Sequence, residues 1–201
     1  AQVERGIKQI GAGALRKIVL ARALDVQFDA PPDPLAALSR LEHSYPTAYR
    51  FLIAPQPGAA LFGATPELLV RLEDSELHTA ALAGSAARSA APDEDDRLAA
   101  ELLASAKDRH EHALVADGLR ERLEPISRSL TIPAKPVVVK LKNIQHLYTP
   151  VQATLRARRH VLSIVERLHP TPALGGWPQR EAEAVIPQIE TLGRGWYAAP
   201  V

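Results

Sequence analysis

Ser105-Ala106-Lys107-Asp108-Arg109-His110-Glu111-His112-Ala113-Leu114-Val115-Ala116-Asp117-Gly118-Leu119 is the stretch around which the chain is organised. Leu114, Val115, Gly118 and Leu119 run on into Leu123 and Ile126 at three- and four-residue spacing, which predicts an amphipathic helix with one side on a core. Asp108 and Glu111 are three apart and share a face, so their carboxylates can converge on one cation or one cationic neighbour. Glu111 stands just before the apolar stripe, where burial begins, and hard-cation chemistry is compatible with that position. Read alone, however, Lys107, Asp108, Arg109 and Glu111 describe a solvated helix start with acids near the positive end of the dipole, the commoner use of such a run. His110 and His112 are two apart, point to different sides of a helix and lack the H-E-x-x-H spacing, so local zinc chelation is rejected.

The balance of 24 basic and 23 acidic residues leaves a net charge of +1, which gives no electrostatic footprint for nucleic acid or an anionic membrane. Small-molecule or protein partners are expected instead. With 46% hydrophobic and 23% charged residues in 201, the chain has apolar material for one sizeable core. No apolar run reaches bilayer length and no signal-peptide pattern opens the chain, so a soluble, cytoplasmic protein is expected. The absence of cysteine excludes disulfides, thiol catalysis and cysteine metal sites. Methionine is absent as well, Ala1-Gln2-Val3 begins inside a helical pattern, and Gly195 to Val201 reads as the entry into a strand. An internal fragment is expected, a single partial domain over residues 1–201.

Before the central helix, Val3, Ile7 and Ile10 predict a helix ending at the Gly11-Ala12-Gly13 turn. Lys17 to Leu24 reads as a strand with Lys17, Val19, Ala21 and Ala23 on one side. A lysine in that register has either a desolvated amine with a lowered pKa or a chain that snorkels to water, and snorkelling is several times the more frequent outcome. Pro34 onward predicts a helix through Leu41, and two strands pair around Gln56-Pro57-Gly58. Thr65-Pro66 makes a corner, and Glu67 opens the run Leu68-Leu69-Val70, where a carboxyl can serve as a general acid or merely cap the corner or pair with Arg71. Glu76 to Leu82 reads as a strand closed by Ala83-Gly84-Ser85-Ala86, small residues that admit a ligand or a second backbone but more often form a tight turn.

Pro92 opens a helix with a solvated acidic first turn. Beyond the central helix, Val137 to Leu141 and Ile144 to Leu155 read as strands, with His146 in the second, where a lone histidine is usually packed or hydrogen-bonded. Arg156 to Arg159 is read as the start of a helix reaching Leu168. His169 to Gly176 is read as a rigid loop, and Arg180 to Ile189 as a last helix.

Six motifs in order, K-I-V-L-A-R at 17–22, F-G-A-T-P-E-L-L at 62–69, L-A-G-S at 82–85, K-D-R-H-E-H at 107–112, N-I-Q-H-L at 143–147 and H-P-T-P-A at 169–173, resemble the chorismate-binding enzymes, and among them the isochorismate synthases. The resemblance spans essentially the whole chain. It implies an α+β fold, an antiparallel β-sandwich framed by helices, here truncated at both ends. It implies an isomerase that converts chorismate to isochorismate with Mg²⁺. Lys17 would be the general base for water attacking C2, and Glu67 the general acid for the departing C4 hydroxyl. Glu111 would hold Mg²⁺ with Asp108 supporting it through water. Ala83, Gly84 and Ser85 would line the pocket by backbone contact, His146 would orient the ring or its carboxylates, and Thr171 and Ala173 would close another wall.

Ammonia-using relatives carry glutamine at the place of Lys17, which points here to water as nucleophile. Aminodeoxychorismate synthases carry a nucleophilic lysine where Ala83 stands, which disfavours that branch. Two alternatives stay open: a salicylate synthase, which adds pyruvate elimination, and a catalytically silent fragment of the same fold. By the same resemblance, complete members continue past residue 201 with a second Mg²⁺-binding glutamate and a substrate-binding arginine, and they begin well before Lys17. Oligomeric state is not implied.

Overall fold

The computed structural model describes residues 2–201. The elements in chain order are α1 (Gln2–Gly11), β1 (Lys17–Ile18), α2 (Pro34–Ser44), β2 (Tyr49–Gln56), β3 (Ala59–Thr65), β4 (Arg71–Glu73), β5 (Glu76–Ala87), α3 (Pro92–Ala104) and α4 (Ala106–Leu123). After a 3-10 turn at Glu124–Ile126 come β6 (Ser127–Thr131), β7 (Val137–Lys140), β8 (Ile144–Leu155), α5 (Val161–Leu168), β9 (Gly176–Trp177) and α6 (Gln179–Ile189). They form two compact units, one from the residues up to Arg22 together with Leu68–Pro200, the other from Ala23–Glu67.

In the larger unit β4, β5, β8 and β6 lie side by side in that order, and β7 extends the sheet beside the first half of β8. Every pairing is antiparallel. The twelve-residue strands β5 and β8 alternate strictly over most of their length. Leu77, Thr79, Ala81 and Ala83 are buried along one, and Gln145, Leu147, Thr149, Val151, Ala153 and Leu155 along the other, while the residues between them are open or half-open. That period of two turns one face toward a helical layer. Val115, Leu119 and Leu123 of α4 meet that face with Ile164 and Leu168 of α5, making one apolar cluster with Leu77, Ala81, Val151, Ala153 and Leu155. Leu119 and Leu123 are wholly buried, and truncating either to alanine costs about 2–5 kcal/mol. In the smaller unit β2 and β3 pair antiparallel and α2 packs on them, its first turn closed by the Asp33 carboxylate accepting the Leu35 N–H at 2.9 Å.

The strand expected over residues 17–24 is only two residues long. Lys17 and Ile18 pair with Trp177 and Gly176, and beyond them one more backbone bond, from the Val19 N–H to the Gly175 carbonyl, is joined by side-chain bonds. The Arg194 guanidinium donates to the Val19 and Leu174 carbonyls at 2.8 Å each, and the Glu190 carboxylate accepts the Ala21 N–H at 2.7 Å. The run at 83–86 is not a turn either. It continues β5 through a register shift between Leu82 and Ser85, with Gly84 at φ +79°. The helix expected from Arg156 begins at Val161, where the His160 ring accepts the Leu162 N–H as a cap. β6 had no clear signal in Ser127-Arg128-Ser129-Leu130-Thr131.

Candidate active site

Lys17 is carried into the larger unit by β1, whose register is fixed on both sides of it. Arg16 N–H donates to the Trp177 carbonyl and Val19 N–H to that of Gly175, both at 2.7 Å. Gly176 makes the approach possible, because a Cβ there would run into the Lys17 carbonyl and lie 2.8 Å from Ala182 Cβ and 3.1 Å from Ile18 Cα. The side chain does not snorkel. It is 7% exposed, and its ammonium stands 3.2 Å from the Glu111 carboxylate, itself about a third exposed. A cation that deep requires a charged or strongly polar partner, and Glu111 provides it from the first half of α4.

Asp108 and Glu111 therefore act apart. Ser105 caps α4, its hydroxyl accepting the Asp108 N–H at 3.2 Å and donating to the Asp108 carboxylate. Glu111 takes Lys17. Among the described residues no three of the His, Asp and Glu side chains come together as a metal cage. Of the two carboxylates expected to share a cation, Glu111 is ion-paired with the Lys17 ammonium.

The β5 bulge lies against the same turn of α4. A Cβ on Gly84 would fall 3.2 Å from Asp108 Cβ and 3.3 Å from the Asp108 carbonyl oxygen. Just past it the Ser85 hydroxyl and the His146 Nδ1 are 2.8 Å apart. Burial lowers the His146 pKa, with the Gly84 backbone pulling the other way. Thr171 is 5% exposed; its carbonyl accepts the Leu174 and Gly175 N–H groups, and its hydroxyl has no partner among the described residues. Ala173 is half-buried against the main core. Glu67 belongs to the smaller unit, where its N–H donates to the Thr65 hydroxyl at 3.1 Å and completes the expected corner.

His112 is a residue whose part the reading of the helix missed. It is 3% exposed, with Nδ1 3.1 Å from the Ala83 carbonyl and Nε2 2.7 Å from the Thr149 hydroxyl. Its pKa is lowered by burial first and by the nearby Lys17 charge last, with the Ala83 carbonyl opposing. The signal was present in the periodicity, since 112, 115 and 119 fall on one stripe and two of the three are apolar. A cleft of about 870 Å³ beside α4 is lined by Arg109, His110, His112, Arg120, Lys135 and Thr149, and neither Lys17 nor Glu111 borders it.

The family model for chorismate-binding enzymes matches residues 1–201. The chain belongs to the chorismate-binding enzyme family. The salicylate biosynthesis isochorismate synthase of Pseudomonas aeruginosa is 43% identical over 203 residues, covering all of this chain and 42% of that protein. The isochorismate synthase EntC of Escherichia coli is 39% identical over 180 residues, 89% of this chain and 46% of the relative. Among solved structures, the menaquinone-specific isochorismate synthase MenF of Escherichia coli superposes with a TM-score of 0.89 at 30% identity, over 96% of this chain and 45% of its own. This chorismate-binding chain thus spans about half the length of the curated relatives it matches, and the α+β class expected of it is the one observed. No described helix is long and apolar enough to cross a membrane.

Proposed function

We propose that this chain carries the base, the acid and one metal-binding carboxylate of an isochorismate synthase, and that the whole protein converts chorismate reversibly to isochorismate with Mg²⁺. The observation that supports the reading is the ion pair at 3.2 Å between buried Lys17 and half-buried Glu111, which sets the proposed base beside the proposed metal carboxylate in a chain whose named relatives are isochorismate synthases. Lys17, once its ammonium has given up a proton, takes one from water as the water oxygen bonds to C2, and both ring double bonds shift toward C4. Glu67 donates a proton to the C4 hydroxyl, which leaves as water, so one water enters and one departs. Glu111 would hold Mg²⁺, whose charge would offset that of a substrate carboxylate. The buried Thr171 hydroxyl and the His146–Ser85 pair supply polar contacts for the hydroxyl and carboxylates of the substrate, and Ala83, Gly84 and Ala173 supply close apolar and backbone walls.

The intact protein, incubated with chorismate and Mg²⁺ and followed by chromatography for isochorismate, salicylate and pyruvate, tests this. Isochorismate without pyruvate is expected, and Lys17→Ala and Glu67→Gln should each lose at least about 100-fold in kcat, the scale of general acid–base catalysis. Salicylate with pyruvate would move the protein to the salicylate branch. Full activity in Lys17→Ala would remove the assigned base.

A further inference from the structure

Two successive turns of α4 grip one irregular point of β5. On the first turn, Asp108 packs directly on Gly84, whose positive φ and missing Cβ allow the bulge to sit against the helix. One turn later the His112 ring reaches the carbonyl of Ala83 and the hydroxyl of Thr149. A carbonyl only accepts, so Nδ1 carries the hydrogen, and Nε2 then accepts the Thr149 O–H in a ring with one proton. Thr149 is 2% exposed and lies in β8 between Leu147 and Val151, both fully buried. Leucine at 112 and valine at 149 would fill such positions without any polar group to satisfy, so the pair is not what packing alone selects. What the hydrogen bonds add is direction. They fix the rotation and the height of α4 against two strands, and the residue immediately before His112 is Glu111, which reaches Lys17.

We propose that His112, held by Thr149 and the Ala83 carbonyl, is a positioning residue for the chorismate reaction, setting where the Glu111 carboxylate stands against Lys17 and how the Ala83–Ser85 backbone faces the substrate. This rests on the isochorismate synthase reading above. The clamp acts through Glu111 and the bulge and does not itself touch a reacting atom. Partners that orient a ligating side chain typically cost about 10–100-fold in activity or metal affinity when removed.

The test uses the intact protein with chorismate and Mg²⁺, and the variants Thr149→Val, Thr149→Ser, His112→Asn and the pair Thr149→Val with His112→Asn. Thr149→Val keeps the shape of the side chain and remains informative if His112→Asn fails to fold. Thr149→Val is expected to lower kcat about 10-fold or more with KM within about twofold, and Thr149→Ser to recover most of the rate. The double variant should be no worse than the poorer single one, because the two residues form one unit. Nitrogen NMR of the His112 ring should show hydrogen on Nδ1 and a shifted Nε2 signal in Thr149→Val. A Thr149→Val protein with a lowered melting temperature but wild-type kcat would overturn the proposal by reducing the clamp to a structural contact, as would a ring with hydrogen on Nε2. Wild-type protein that leaves chorismate unchanged would instead sink the underlying functional reading, and the positioning role with it.

Discussion

Replacing Gly176 by alanine tests the placement of Lys17 without touching its side chain. The new methyl would collide with the Lys17 carbonyl oxygen and lie 2.8 Å from Ala182 Cβ and 3.1 Å from Ile18 Cα. None of these is the far end of a flexible side chain. Two belong to the β1 backbone and the third is a Cβ on α6, so relief requires β1 to part from β9 or α6 to shift. Overpacking costs about 1–3 kcal/mol where side chains can adjust, which places this substitution at about 3 kcal/mol. For a chain of this size each kcal/mol moves the melting point by about 2–4 °C, giving an expected fall of about 6–12 °C. The assay is thermal unfolding followed by circular dichroism, with Gly11→Ala as the control, because a Cβ there meets nothing within 4 Å apart from its chain neighbours and its own helix backbone. In the intact protein kcat should fall as well, since the displaced backbone is that of Lys17. A Gly176→Ala protein melting within about 2 °C of wild type would refute the reasoning, because the β1–β9 register could then not be as tight as the Cβ geometry requires.

Gly84→Ala meets a different obstacle, a left-handed backbone as well as Asp108 and Leu147 at 3.2 Å, and should cost about 1–3 kcal/mol in urea unfolding; stability equal to wild type would show that the bulge can relax away from α4. Asp95 gives the expected acid lability. The Arg88 guanidinium first, and the Lys140 ammonium second, hold its carboxyl well below the usual carboxylate range. Below about pH 4 the unfolded chain therefore takes up a proton that the folded one refuses, so this contribution is complete above that pH and is lost as the pH falls. Urea midpoints measured from pH 6 to pH 3 should fall more steeply in wild type than in Asp95→Asn, and equal slopes would count against the ion cluster as the cause.

The periodic elements were legible because burial writes its period directly into residue type. The stripe Leu114, Val115, Leu119 and Leu123 and the alternation through β8 both place apolar side chains where the core turned out to be. The short strand at Lys17 was misread for the opposite reason. Ile18, Val19, Leu20 and Leu24 look like a strand locally, but the only ladder available to them is the two residues of β9, about 160 positions away. Beyond that ladder the Val19 carbonyl and the Ala21 N–H are satisfied by Arg194 and Glu190, side chains whose reach no local pattern announces. β6 failed for want of a period, since only Ser127 is buried and Leu130 half-buried among its five residues.

Membership of the chorismate-binding family was legible in another way, through the order of the motifs and not through any one of them. Position alone favoured an exposed Lys17, because a single cation beside apolar neighbours usually reaches water. What reverses the balance is Glu111, 94 residues later, and that pairing depends on where α4 is docked. The docking depends in turn on Gly84 having no side chain and on His112 spending both ring nitrogens on the strands beneath it. The histidine set aside as a zinc ligand for its spacing is thus on the buried stripe for a physical reason: a polar residue in line with Val115 and Leu119 must have its hydrogen bonds made inside the core. Wherever a helix that bears a charged site residue carries such a misfit on its buried stripe, the misfit marks where the helix is held.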